Sequence, residues 1–261
     1  MTAKTRIEDI KNHGYDIDFS DVFNKSLENY KKIALNAGIV FILASIILGS
    51  IIIGTIAVIW GAASITQNLA DLKIYNFSGV TILAYVFVIA MISGMISPLS
   101  AGILKMAHHA SNNLEFSVGT AFDYYKGSYF KELFIATMLL SFLSVGVDSL
   151  LGILEIRFIG VLFSYIISFF TFLTIPLIVF GNLKALEAIQ ASFIIVSKQF
   201  FVLLGLLIVA VIMTALGFIG FCIGIFFTLP FLYSTYYCIY DSIIGTGYKS
   251  ELEEIGTSEN Y

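Results

Sequence analysis

The sequence predicts an all-α, polytopic membrane protein, with six transmembrane helices paired as three proline-containing hairpins and interfacial amphipathic helices before each pair. Three observations predict it. Hydrophobic residues make up 58% of the chain and charged residues 12%, about half the charged share of a soluble domain, and mean hydropathy is +0.93. Charge-free intervals recur at about the 20-residue length that crosses a hydrocarbon core roughly 30 Å thick. The three prolines share one setting, late in an apolar run: Ile96-Ser97-Pro98-Leu99, Thr174-Ile175-Pro176-Leu177 and Thr228-Leu229-Pro230-Phe231.

Residues 1–18 form a polar N-terminal segment, 19–245 a single membrane domain, and 246–261 an acidic tail carrying Glu251, Glu253, Glu254 and Glu259. The hairpin repeats fall at about 19–113, 114–181 and 182–245. Roughly thirty polar residues precede the first apolar run, too many for an export signal, so the first helix stays in the protein. Within that lead-in, Phe19, Val22, Phe23, Leu27 and Tyr30 recur at helical spacing, while Asp21, Asn24, Lys25, Glu28 and Lys31 face elsewhere, the pattern of a helix lying along an interface. The first span covers 34–60 and ends at Trp60, an interfacial anchor. A linker over 61–76 holds Asp71 and Lys73, and the second span covers 80–104.

The second interfacial segment sets Phe116, Phe122 and Tyr125 beside Asp123 and Lys126. The third span covers 129–151, its far end marked by Asp148, Glu155 and Arg157, and the fourth covers 158–180. The third interfacial segment sets Leu183, Leu186, Ile189 and Phe193 beside Lys184, Glu187, Gln190 and Lys198. No charge appears from Gln199 to Tyr240, and as one rod this run would be about twice the thickness of the core. It therefore folds back near Gly217 and Gly220, giving spans over 200–216 and 221–240.

Each proline removes a backbone donor and frees the carbonyl four residues earlier, those of Gly94, Phe172 and Phe226, which lipid cannot satisfy. Ser97, Thr174 and Thr228 stand close enough to contribute. With a cytosolic N-terminus, only Lys73 and Arg157 of the 14 lysines and arginines fall on the far side. That bias places both termini in the cytosol.

Phe19-Ser20 and Phe116-Ser117 open two of the units, Tyr30-Lys31 and Tyr125-Lys126 each join an aromatic to a lysine, and a hydroxyl residue stands within two positions of each proline. In these residues the chain resembles bacterial six-span proteins related to the membrane domain of glycerophosphoryl diester phosphodiesterases, over nearly its whole length. The resemblance implies a six-span fold in a bacterial inner membrane. It implies no hydrolase activity, because no catalytic barrel is attached. Some similar proteins carry a carotene oxygenase label, but those enzymes hold iron with four histidines, and this chain has His13, His108 and His109.

Asp148 is the one candidate for an intramembrane polar site; its proximity to Glu155 and Arg157 also fits the outer interface or a pair with Arg157. His108 and His109 are adjacent and point about 100° apart on a helix, which does not make a two-ligand metal face. Cys222 and Cys238 lie in or beside the last apolar stretch and read as small packing residues. Small residues such as Ser45, Gly49, Ser93, Gly94, Ser144 and Gly146 let helices approach closely. No catalytic residue, cofactor or metal site is assigned, and no basic stripe for nucleic acid is present. Membrane lipids are the expected partners. Lys105, His108, Lys126, Lys131, Lys184 and Lys198 are expected to form a cytosolic rim facing lipid headgroups, attractive to anionic ones. The expected role is a non-enzymatic structural, lipid-contacting or accessory protein of the cytoplasmic membrane. The alternative is a transporter or channel for a small, weakly polar or lipidic solute, with a membrane-embedded enzyme third.

Overall fold

A computed structural model describes residues 2–60, 79–220 and 223–246. The expected linker with Asp71 and Lys73, Cys222, and the glutamates of the acidic tail lie outside the described residues. The described chain is helical without strands: α1 (Ala3–His13), α2 (Phe19–Trp60), α3 (Gly79–Ser111), a 3-10 helix (Val118–Tyr125), α4 (Tyr129–Ile153), α5 (Arg157–Thr171), α6 (Thr174–Val179), α7 (Ala185–Lys198), α8 (Phe200–Ala215), a 3-10 turn (Leu216–Gly220) and α9 (Gly224–Ile243).

Among the described residues, five stretches are long and apolar enough to cross a membrane: Phe19–Gly54, Gly79–Ser111, Tyr129–Ile153, Arg157–Val179 and Phe200–Ile219. The described residues thus form an all-helical fold with several membrane-spanning candidates. The 20 residues of α9 reach about 30 Å, yet Tyr233, Ser234, Thr235, Tyr236 and Tyr237 make its second half more polar than the five. The chain turns between α8 and α9 at Leu216–Gly220.

The interfacial segments take three different forms. The first is continuous with its span in a single 42-residue helix. No glycine or proline occurs between Phe19 and Gly38, and a sharp kink needs a breaker. The second is a 3-10 helix of 8 residues, and the third is the separate helix α7. Pro98 and Pro230 lie inside unbroken helices, whereas the fourth span stops at Thr171 and resumes at Thr174, just ahead of Pro176. All three prolines are buried. Asn113, Glu155 and Asn182 adopt φ of 53°, 62° and 52° just past α3, α4 and α6. The left-handed residue after a helix lets later amides close back on it, as when Leu114 N donates to His109 O at 2.8 Å and Ile156 N to Leu151 O at 3.0 Å.

The two ends of the bundle differ. The end that carries α1 also gathers the start of α2, the C-terminal parts of α3 and α9, α6, α7 and the 3-10 helix. Ile10, Ile33, Ile103, Leu104, Met106, Leu133, Leu177 and Tyr240 are fully buried there in one cluster. Arg6 Nε donates to Ile243 O at 3.2 Å and the Tyr15 hydroxyl to Ile195 O at 3.0 Å. Asn29 Nδ2 donates to Ala107 O at 2.6 Å and Ser111 Oγ at 2.7 Å, and the Ser234 hydroxyl to Ser26 O at 2.7 Å. Gly102 lies so close to the Ala121 backbone that any Cβ there would collide with it; the 3-10 helix packs on α3 through that gap. At the other end, Ile46, Ile51, Ile53, Val80, Leu83, Leu150, Phe158 and Ile219 are exposed, an apolar surface of the kind that contacts a membrane or a partner. The most extensive helix pairs are α2 with α9 and α3 with α4, which join different expected hairpins.

Candidate functional site

Three helices carry hydroxyl residues at i, i+4 and i+7: Ser93, Ser97 and Ser100 on α3; Thr137, Ser141 and Ser144 on α4; Ser164, Ser168 and Thr171 on α5. That spacing sets each trio on one helical face. The fold turns the three faces toward one another. Ser93 Oγ and Ser141 Oγ are 3.0 Å apart, the Ser164 hydroxyl donates to Ser144 O at 3.4 Å, and Ser100 Oγ lies 3.2 Å from the Tyr233 hydroxyl of α9.

Between these faces the packing is incomplete. A cavity of about 160 Å³ is walled by Ser100, Thr137, Ser168, Thr171, Thr174, Tyr233 and Tyr236 with Leu104, Leu140, Phe172 and Ile175. A second, of about 200 Å³, shares Thr137, Leu140, Ser168 and Thr171 and runs along Ser141 and Ser144. A third, of about 350 Å³, shares Ser168 and Tyr236 and is otherwise apolar, with Phe169, Leu204, Leu207, Ile208, Val211, Ile212 and Leu232 beside Tyr165. Ser168, common to all three, is exposed. Tyr165, Ile208, Val211 and Ile212 are also exposed, so the cleft opens sideways between α5 and α8. Its walls hold hydroxyls, aromatics and aliphatics but no ionisable acid or base apart from the tyrosines. Thr174, 1% exposed, is among the residues that wall the first cavity, and its Oγ1 has no hydrogen-bond partner.

A separate polar pocket of about 260 Å³ lies at the end that carries α1, lined by Lys25, Glu28, Asn29, Lys32, Ser111, Asn112, Cys238 and Asp241. Its charges are largely engaged. Lys25 pairs with Asp21 at 2.8 Å, Lys32 Nζ donates to Ala110 O at 2.9 Å and Asn113 Oδ1 at 3.0 Å, and Asp241 Oδ1 accepts from the Thr246 amide and hydroxyl. Among the described residues no group of three His, Cys, Asp or Glu is placed to hold a metal.

The residues expected at a headgroup rim divide into two sets. Lys126, Lys131, Lys184 and Lys198 are exposed. Lys105 pairs with Asp123 at 2.7 Å and sits 5.8 Å from the centre of the Tyr124 ring, whose phenol burial pushes above its ordinary range. His108 is half-buried; its Nδ1 lies 3.2 Å from the Tyr237 hydroxyl and 3.2 Å from Asn112 Nδ2, with Phe180 against its ring. His109 Nδ1 is 2.8 Å from Glu115 O. Asp148 presses on Gly160, where a Cβ would stand 2.7 Å from Oδ1, and Oδ1 is buried without a hydrogen bond. Of the carbonyls near the prolines, that of Gly94 receives the Ser97 hydroxyl at 2.8 Å. Thr228 Oγ1 donates to Thr214 O at 2.7 Å and also reaches Gly224 O and Ile225 O.

The serine and threonine stripes were legible in the sequence as repeated spacing, but the roles of Asn29, Ser234, Tyr233 and Tyr236 depend on which helices meet. No family model, curated protein or solved structure matches the chain.

Proposed function

We propose that this is a non-enzymatic, six-span protein of the bacterial cytoplasmic membrane whose work is contact with lipid, with both termini cytosolic. The observation that carries the reading is the division of the molecule: a packed, hydrogen-bonded end bearing the exposed Lys126, Lys131, Lys184 and Lys198, and beyond it helices with exposed isoleucines and leucines. Aliphatic surface of that kind is stable only in hydrocarbon, and lysines at the boundary favour anionic headgroups by about 1 kcal/mol each, less in salt. The rim in this reading is narrower than the sequence predicts, since His108 turns inward and Lys105 is held by Asp123.

The test is lipid retention by the purified protein in nanodiscs. Anionic lipid is expected to be enriched around the protein over zwitterionic lipid, and the enrichment to fall when Lys126, Lys131, Lys184 and Lys198 become Gln. Equal retention of both headgroups, unchanged by the substitutions, would reduce the lysines to an orientation signal. A second reading, transport of a small, weakly polar or lipidic solute, is favoured by the laterally open cleft, whose cavities lie between α3, α4, α5, α8 and α9.

A further inference from the structure

The geometry points to a binding site in the cleft for one uncharged amphiphile of the diacylglycerol class, with its hydroxyl and ester head in the inner part and one of its two acyl chains in the outer part. This goes beyond lipid contact at the rim and gives the cleft of the second reading its ligand class.

The two parts of the cleft ask for two parts of one molecule. The inner part is walled by hydroxyls that both donate and accept, which suits a head with hydroxyl and carbonyl oxygens. The outer cavity of about 350 Å³ lies within the size range of small-molecule sites and presents leucine, isoleucine and valine, which suit a chain. Ser168 and Tyr236 border both parts, so the two cavities adjoin, and a head in one and a chain in the other can belong to one molecule. A charged head is disfavoured, because among the described residues the cleft supplies no lysine, arginine or histidine to an anion and no carboxylate to a cation, and an unpaired charge in such a site is costly.

Thr174 supplies an independent sign of an occupant. A buried hydroxyl is normally hydrogen-bonded, yet Thr174, a residue of the inner cavity's wall, carries an Oγ1 with no hydrogen-bond partner. A ligand oxygen brought against that hydroxyl would complete it. The exposed Tyr165 and Val211 mark an entrance level with the apolar surface, so the molecule enters from the bilayer and its chain need never cross water.

The test uses the full chain in phosphatidylcholine nanodiscs containing a diacylglycerol that bears a photoreactive diazirine on one acyl chain, with mass-spectrometric mapping of the adducts. Labelling is expected at α5 and α8, saturable, and competed by unlabelled diacylglycerol but not by phosphatidic acid of the same chains. Ser168→Phe, which plugs the junction, is expected to abolish it. Thr174→Val removes a hydroxyl that has no protein partner, so its thermal midpoint is expected to equal or exceed that of the parent, while the half-saturating probe concentration rises about tenfold. Labelling spread evenly over the lipid-facing surface, equal competition by phosphatidic acid, or unchanged affinity in a folded Thr174→Val protein would overturn the proposal. The rim lysines are untouched in these variants, so failure here leaves the rim reading standing, and failure of the rim experiment leaves the cleft standing.

Discussion

Asn29 shows how one polar residue can tie three helices. At 4% exposure, its Nδ2 donates to Ala107 O and Ser111 Oγ on α3, and its Oδ1 accepts from Ser234 on α9 at 3.1 Å. Asn29→Ala deletes both donors and the acceptor at once and is expected to destabilise the protein by about 1–3 kcal/mol. Asn29→Asp is expected to be worse, because a carboxylate brings an acceptor against the Ala107 carbonyl and a charge into a buried site. Denaturation in mixed micelles ranks the two, and equal loss would show that the amide's donors do not matter. Nothing in the sequence singles Asn29 out from Asn24, Lys25 and Glu28 around it. Helical spacing says which residues share a face; only the approach of α3 and α9 decides which polar side chain goes inside.

At the scale of elements, α1 is the polar N-terminal segment of the sequence turned into a docked helix. Ile10 is fully buried, and Lys4 pairs with Glu187 of α7 at 3.0 Å. The hydrogen bond from Lys4, then the Lys184 backbone amide, holds the Glu187 carboxyl below its ordinary value of 4.5. A carboxylate held low contributes stability above its unfolded-state value and loses it as pH falls through the lowered one. Docking of α1 is therefore expected to be insensitive to pH near neutrality and to weaken as pH falls below about 4.5. Because the pair is exposed, salt is expected to mute the effect. Amide exchange over 3–13, corrected for intrinsic rates, measures it; Lys4→Gln should remove the acid-side change, and its persistence would shift the cause elsewhere. The elements themselves were unevenly legible. Charge-free runs foretold the five described helical stretches that are long and apolar enough to cross, because the bilayer fixes the length of a span. The continuity of α2 was missed because amphipathic spacing reports a face and not a bend, although the absence of a breaker before Gly38 carried that information. The stripes on α3, α4 and α5 look like small packing residues until the incomplete contact between those helices turns them into the walls of a cleft.

For the molecule as a whole, the decisive question is how α9 lies. Arg6 Nε bonds to Ile243 O, so the helix that begins the chain and the end of α9 meet at one end of the bundle. Among the described residues five stretches qualify as crossings by length and apolarity, and five crossings would leave the termini on opposite sides. With α9 as a sixth crossing the count becomes even, and its length of about 30 Å matches the core. Tyr237, Tyr240 and Ser234 then face protein: the two tyrosines are 1% exposed, and the Ser234 hydroxyl bonds to Ser26 O and Asn29, so lipid need not solvate them. Reporter fusions after Tyr261 and at Lys73 are accordingly expected on opposite sides of the membrane, with the Tyr261 fusion in the cytosol. Both reporters on the periplasmic side would mean that α9 does not cross, and the contact between Arg6 and Ile243 would then have to be broken in the membrane.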